Sequence, residues 1–166
     1  MEDYSRIFDL NGRRALVIGG GSGIGRAGCL GLASFGAHVI CGDVEMGRAR
    51  EAAQAIGADG RRGEALHIDL CDGASVAAAA KQVGVPDVLV ISPSINVRKP
   101  LLDITEDEFD RIVGLNLKGI FRALKASCPA WSSAAKAASS SFPAFARRSS
   151  SRAKACMRRP RRARCR

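Results

Sequence analysis

The sequence predicts an α/β protein built on a doubly wound parallel sheet, with strand order 3-2-1-4, and three observations predict it. Short apolar runs alternate with helical stretches three times in succession, a pattern that calls for right-handed crossovers between parallel strands. The run Asp87-Val88-Leu89-Val90-Ile91 is almost continuously apolar, as a strand covered on both faces must be. The first run, Arg14 to Ile18, ends in Gly19-Gly20-Gly21-Ser22-Gly23-Ile24-Gly25, a turn that only glycine follows closely.

Each element has its own local justification. Met1 to Gly12 is a lead-in, with Ile7, Phe8 and Leu10 available to tuck against the sheet. After the first strand and the glycine turn, Ala27 to Phe35 carries helical periodicity, and Gly36 stands where a C-terminal cap belongs. The second strand, Ala37 to Gly42, closes on Asp43; Met46 to Ile56 is helical and stopped by Gly57. Glu64 to Ile68 reads as a third strand ending at Asp69, and Ala74 to Val83 as an Ala-rich helix leading through Pro86 into the fourth strand. Thr105-Glu106-Asp107-Glu108 is a capping box. It opens the longest helix, Glu106 to Ala126, with Phe109, Ile112, Val113, Leu117, Ile120 and Leu124 on one apolar face and Asn116 among them. A polar amide in such a stripe must find hydrogen-bond partners or cost stability.

The glycine turn carries the chemistry. A strand that breaks sharply into a helix aims free backbone N–H groups and the positive end of the helix dipole at one point, which suits a pyrophosphate. Gly19 permits the break, Gly23 leaves room for a phosphate beside the backbone, and Gly25 lets the new helix pack on the sheet. Gly21, Ser22 and Ile24 complete the cradle. Asp43, at the end of the second strand, stands where an acid meets a ribose 2′-hydroxyl. Strand, turn, helix and acid together predict a dinucleotide site in a Rossmann-like domain.

Composition bounds the alternatives. The 166 residues carry a net charge of +10, but residues 1–121 hold 13 Lys and Arg against all 16 Asp and Glu, and the other 13 basic residues lie in 122–166 with no acid. Two regions so different need share neither origin nor task. An incomplete nucleotide-binding domain is therefore expected over 1–126 and a low-complexity basic tail, disordered or weakly helical, over 127–166. No apolar run is long enough to span a bilayer and the N-terminus has no signal-peptide pattern, so the cytosol is the expected setting. The six cysteines show neither a C-x-x-C pair nor metal spacing with His38 or His67.

The spacing Gly19, Gly23, Gly25, in the form G-x-x-x-G-x-G, resembles the short-chain dehydrogenase/reductase family. Asn116-Leu117-Lys118-Gly119 is similar to the family's N-L-K-G stretch, and the likeness extends over about Arg13 to Ala126. The resemblance implies oxidation or reduction of an alcohol/carbonyl pair with a nicotinamide cofactor. It places Asp69 and Leu70 beside the adenine, although Asp69 equally suits a helix N-cap or a turn, as does Asp72; it gives Asn116 a water in the proton relay, and often puts the long helix at a dimer interface. Asp43 favours NAD over NADP, because a carboxylate repels a 2′-phosphate and no Arg follows it directly, although Arg48 is near. Two departures stand out. Ile18 replaces the usual Thr, and Ile91-Ser92-Pro93-Ser94 replaces N-N-A-G after strand four, leaving cofactor contact there to the backbone and to Ser92 or Ser94.

The family's catalytic Ser and Tyr-x-x-x-Lys have no counterpart in this chain, whose single tyrosine is Tyr4. Those groups polarise the substrate and move its proton, so a cofactor-binding chain without turnover is expected. Three readings of the tail stay open. First is a shifted reading frame, since dropping two bases at Ala130 lets the stretch to Ala144 be reread as x-M-V-E-R-G-x-G-S-I-I-x-I-S-S, resembling the family's continuation. Second is a passive solvated tail, and third a nucleic-acid arm through Arg158 to Arg164.

Overall fold

The structure, a computed structural model, describes residues 8–127. The expectations for Ile7, for Tyr4 and for the tail beyond Ser127 lie outside the described residues. Four strands, β1 (Arg14–Ile18), β2 (His38–Asp43), β3 (Gly63–His67) and β4 (Val88–Ile91), alternate with helices α1 (Gly23–Ser34), α2 (Met46–Ala58) and α3 (Gly73–Val83). All pairings are parallel and the order is β3-β2-β1-β4, as the alternation predicts.

Side chains alternate across β1 and divide the core in two. Leu16 and Ile18 join Ile40, Leu66, Ile68, Val76 and Val83 on one face. Ala15 and Val17 join Cys29, Ala33, Val39, Cys41 and Ile56 on the other. Helices α1 and α2 thus cover one side and α3 the opposite side, which leaves the carboxyl ends of the strands open above the sheet. Val88 to Ile91 are only half-buried, as suits an edge strand.

Helix ends follow their caps. Asp72 accepts from the N–H groups of Ala74 and Ser75 at 2.9 and 3.2 Å and starts α3. Gly36, at φ +95°, lets the chain leave α1 while Ala37 N–H bonds to the Leu32 carbonyl. Helix α1 begins at Gly23, ahead of the expected Ala27, because its first turn is built from the glycine motif itself, where no side-chain periodicity exists to read.

The longest helix departs most from expectation. Helix α4 (Glu106–Val113) opens on the capping box, with Thr105 and Glu108 bonding reciprocally at 3.3 and 3.1 Å. It then widens into a π-helical segment over Gly114–Gly119 before regular helix resumes over residues 120–127. Each wide turn adds about one residue, so the helical phase slips by roughly 100°. Of the expected apolar face, Ile112, Val113 and Ile120 are half-buried. Leu115 and Ala123 pack toward the sheet, while Phe109, Leu117 and Leu124 are exposed.

Candidate nucleotide-binding site

The glycine turn caps the sheet between β1 and α1. Gly19 and Gly20 both donate to the Gly42 carbonyl, at 2.8 and 2.9 Å, tying the turn to β2. Gly19 sits at φ +80°, and a Cβ on Gly25 would collide with the Gly19 carbonyl oxygen. These two glycines therefore cannot carry side chains without moving the turn. Gly23, at φ +50°, is likewise a glycine position by conformation, but a Cβ there would meet nothing within 4 Å, so the space above the turn is open.

Helix α1 points its first turn into that space. Its N-cap is Ser22, whose hydroxyl makes no capping bond, and its first turn holds no acidic residue. The leading N–H groups have no acceptor within the helix, and the nearest carboxylate, Asp43, bonds to Gly21 below the turn rather than to the helix itself. Ile24 is 86% exposed beside them. Such a donor set is of the kind that takes an anion.

Asp43 lies beneath the turn and is 8% exposed. Its two carboxylate oxygens accept the N–H groups of Gly21 and Glu45, each at 3.0 Å. Arg48 stands close to Gly21, and its guanidinium is held by Glu45 at 3.1 Å. Under the turn, Cys29 donates its thiol to the Gly20 carbonyl at 3.7 Å. The neighbouring Cys41 sulfur, then burial, pushes the Cys29 thiol pKa up.

A cleft of about 260 Å³ opens at the carboxyl ends of the strands, lined among others by Gly19, Asp43, Asp69, Leu70, Pro93 and Arg111. Asp69 accepts the Cys71 N–H at 2.7 Å, and its own N–H donates to Ser75 Oγ at 2.9 Å. Asp69 is thus a turn acid as well as a cleft residue, and Asp72 does the capping. From the stretch after β4, Pro93 and Ile95 face the cleft. Ser92 instead donates its N–H to the Ile18 carbonyl at 2.9 Å, extending the ladder, and Ser94 is exposed. A larger hollow, about 560 Å³, lies at the amino ends of β1 and β2 beside Arg14, His38, Arg61 and Arg62. Doubly wound sheets take their ligands at the other end.

Asn116 finds its partners on one residue. Its Oδ1 accepts the Ile95 N–H at 3.0 Å and its Nδ2 donates to the Ile95 carbonyl at 2.8 Å. The amide behaves like a strand neighbour, locking the π-helical segment to the chain leaving β4. Arg122, which nothing in the local sequence singles out, reaches from the helix to the carbonyls of Leu70 and Cys71.

A parallel sheet in this order, a glycine turn feeding a helix N-terminus and an acid at the end of β2 define a Rossmann-like nucleotide-binding fold. Comparison with known proteins narrows the class. The sequence profile of the short chain dehydrogenase family matches residues 13–140, beyond the Ala126 at which the motifs stop being readable. A short-chain dehydrogenase/reductase of Armillaria gallica is 38% identical over 120 residues, covering 69% of this chain and 46% of the relative. Galactitol 2-dehydrogenase of Agrobacterium fabrum is 36% identical over 121 residues, covering 70% of this chain and 46% of that protein. A gluconate 5-dehydrogenase from Burkholderia cenocepacia, crystallised with NADP and tartrate, superposes with a TM-score of 0.68 at 32% identity, over 74% of this chain and 49% of its own. The chain belongs to the short-chain dehydrogenase/reductase family of oxidoreductases. It spans about half the length of the relatives it matches. No helix among the described residues is long and apolar enough to cross a membrane.

Proposed function

We propose that this chain binds a nicotinamide dinucleotide across the carboxyl ends of β1, β2 and β4, with NAD preferred to NADP. The observation that carries the reading is Asp43, buried under the glycine turn and lining the cleft. Gly19 to Gly25, with Ser22 and Ile24 at the helix start, hold the pyrophosphate. Asp43 takes the adenosine ribose, where its charge disfavours a 2′-phosphate. Arg48, near this acid, is ion-paired with Glu45 on the surface. Asp69 and Leu70 flank the adenine, and the backbone around Ser92 and Ser94 lies toward the nicotinamide end.

A bound nicotinamide supplies hydride exchange with an alcohol/carbonyl pair. Asn116 has one amide hydrogen left after its bonds to Ile95, enough to hold a water in a proton relay. The sugar-alcohol and sugar-acid names among the relatives support a polyol-type substrate. The 166-residue chain contains no Tyr-x-x-x-Lys, so its relay ends without an acid/base and it binds cofactor without turnover. The exposed Phe109, Leu117, Phe121 and Leu124 of the long helix support self-association. The unpaired thiols of Cys29, Cys41 and Cys71 suit the cytosol.

Fluorescence titration with NADH and NADPH, alongside a dehydrogenase assay with simple polyols, tests the proposal. Saturable NADH binding without turnover is expected. Turnover by the purified chain contradicts the relay argument, and salt-dependent DNA binding without NADH binding favours a nucleic-acid arm instead.

A further inference from the structure

We propose that Arg122 is a positioning residue for adenine recognition: its guanidinium clamps the Leu70 and Cys71 carbonyls and so fixes the 69–71 loop along the cleft. The inference rests on the dinucleotide reading of that cleft. Arg122 Nη1 donates to Leu70 O at 3.1 Å and to Cys71 O at 2.7 Å, bridging 52 and 51 residues of sequence. Two features bring it there. Gly119 lets the helix press on the loop, for a Cβ at that position would stand 2.9 Å from the Leu70 Cβ. The π-helical segment just before it resets the phase of the residues that follow, Arg122 included.

The clamp completes a loop held on every side. Ser75 Oγ takes the Asp69 N–H, Asp69 Oδ1 takes the Cys71 N–H, and Arg122 takes the two carbonyls. With Oδ1 engaged, the second oxygen of Asp69 is left as an acceptor. It suits the exocyclic amine of adenine and repels the carbonyl oxygen that hypoxanthine carries at the same position. Discrimination between those bases requires the carboxylate to be held still, because a loose loop turns away from the wrong base at little cost.

The test compares the full chain with Arg122→Met, which keeps the apolar stem and loses the donors. Affinities for NADH and for its reduced hypoxanthine analogue are measured by fluorescence, and exchange of the Cys71 amide by hydrogen–deuterium mass spectrometry without ligand. The wild type is expected to prefer the adenine form. In Arg122→Met the preference shrinks toward one and Cys71 exchange rises about tenfold, with β1 unchanged. Arg122→Lys recovers part of both, since one ammonium can reach the carbonyls. Unchanged preference and unchanged exchange overturn the proposal; faster exchange with unchanged preference does so as well, because Arg122 is then only structural. If neither dinucleotide binds the wild type, the reading of the cleft falls and adenine recognition with it, while Cys71 exchange still reports whether the clamp orders the loop. Should Arg122→Met not fold by circular dichroism, Arg122→Gln, too short to bridge the carbonyls, takes its place in the same measurements.

Discussion

Asp43 accepts the Gly21 N–H at 3.0 Å from a position under the glycine turn. One carboxylate therefore shapes the turn and borders the cleft that the turn overlooks. Asp43→Ala strands two backbone N–H groups, those of Gly21 and Glu45. A loss of about 2 kcal/mol of stability is expected, read by urea unfolding. NADH affinity falls roughly thirtyfold, and the preference over NADPH narrows because the charge opposing a 2′-phosphate is gone.

Gly25 packs against the Gly19 carbonyl with no room for a methyl group. Gly25→Ala is expected to cost about 1–3 kcal/mol and to abolish detectable NADH binding, since the turn must shift to relieve the clash. Gly28, in the same helix with nothing within 4 Å of its Cβ position, provides the control. Gly28→Ala leaves binding unchanged and gains up to about 1 kcal/mol from helix propensity. Thermal unfolding and NADH titration of both variants separate packing from propensity.

The two hydrogen bonds from Asn116 to Ile95, at 3.0 and 2.8 Å, anchor the π-helical segment. Asn116→Leu keeps the volume and removes the pairing. It is expected to lose about 2 kcal/mol and to speed amide exchange at Ile95 while β1 stays protected. A variant as stable as wild type, with Ile95 still protected, contradicts the anchoring role.

Asp87 joins the amino ends of β1 and β4, accepting the Arg14 N–H and the Arg13 guanidinium, each at 2.9 Å. The Arg14 backbone bond, then Arg13, holds its carboxyl below the usual carboxylate range. Lys99 and the Thr105 backbone do the same for Glu108. A depressed folded pKa gives stability that is complete above the unfolded value near 4 and is lost as pH falls through the lower, folded value. Urea unfolding from neutral pH downward is expected to show stability declining below about pH 5. Asp87→Asn lowers stability at neutral pH and flattens the decline; an identical slope in both proteins contradicts the assignment.

Legibility in the sequence followed the range of the interactions. Strand β1 is Arg14–Ile18 in both readings, because an apolar run ending in glycine is a local signal, and the capping box at Thr105 lies within four residues. Asp43 and the glycine turn were legible for the same reason. The π-helical segment was not, and Asn116 within it pairs with Ile95, 21 residues away. Arg122 was hidden likewise: its partners are main-chain carbonyls about 50 residues back, and a carbonyl has no letter in the sequence. The apolar stripe shows periodicity but not what covers it, and Phe109, Leu117 and Leu124 are exposed.

The open space above Gly23, bordered by the start of α1 and by Asp43, is the proposed seat of the nicotinamide dinucleotide. Isothermal titration calorimetry of the folded chain with NADH and NADPH tests it most directly. Saturable heat with NADH, weaker heat with NADPH and a weakened NADH response in Asp43→Ala are predicted. No heat with either dinucleotide, from protein shown to be folded, contradicts it.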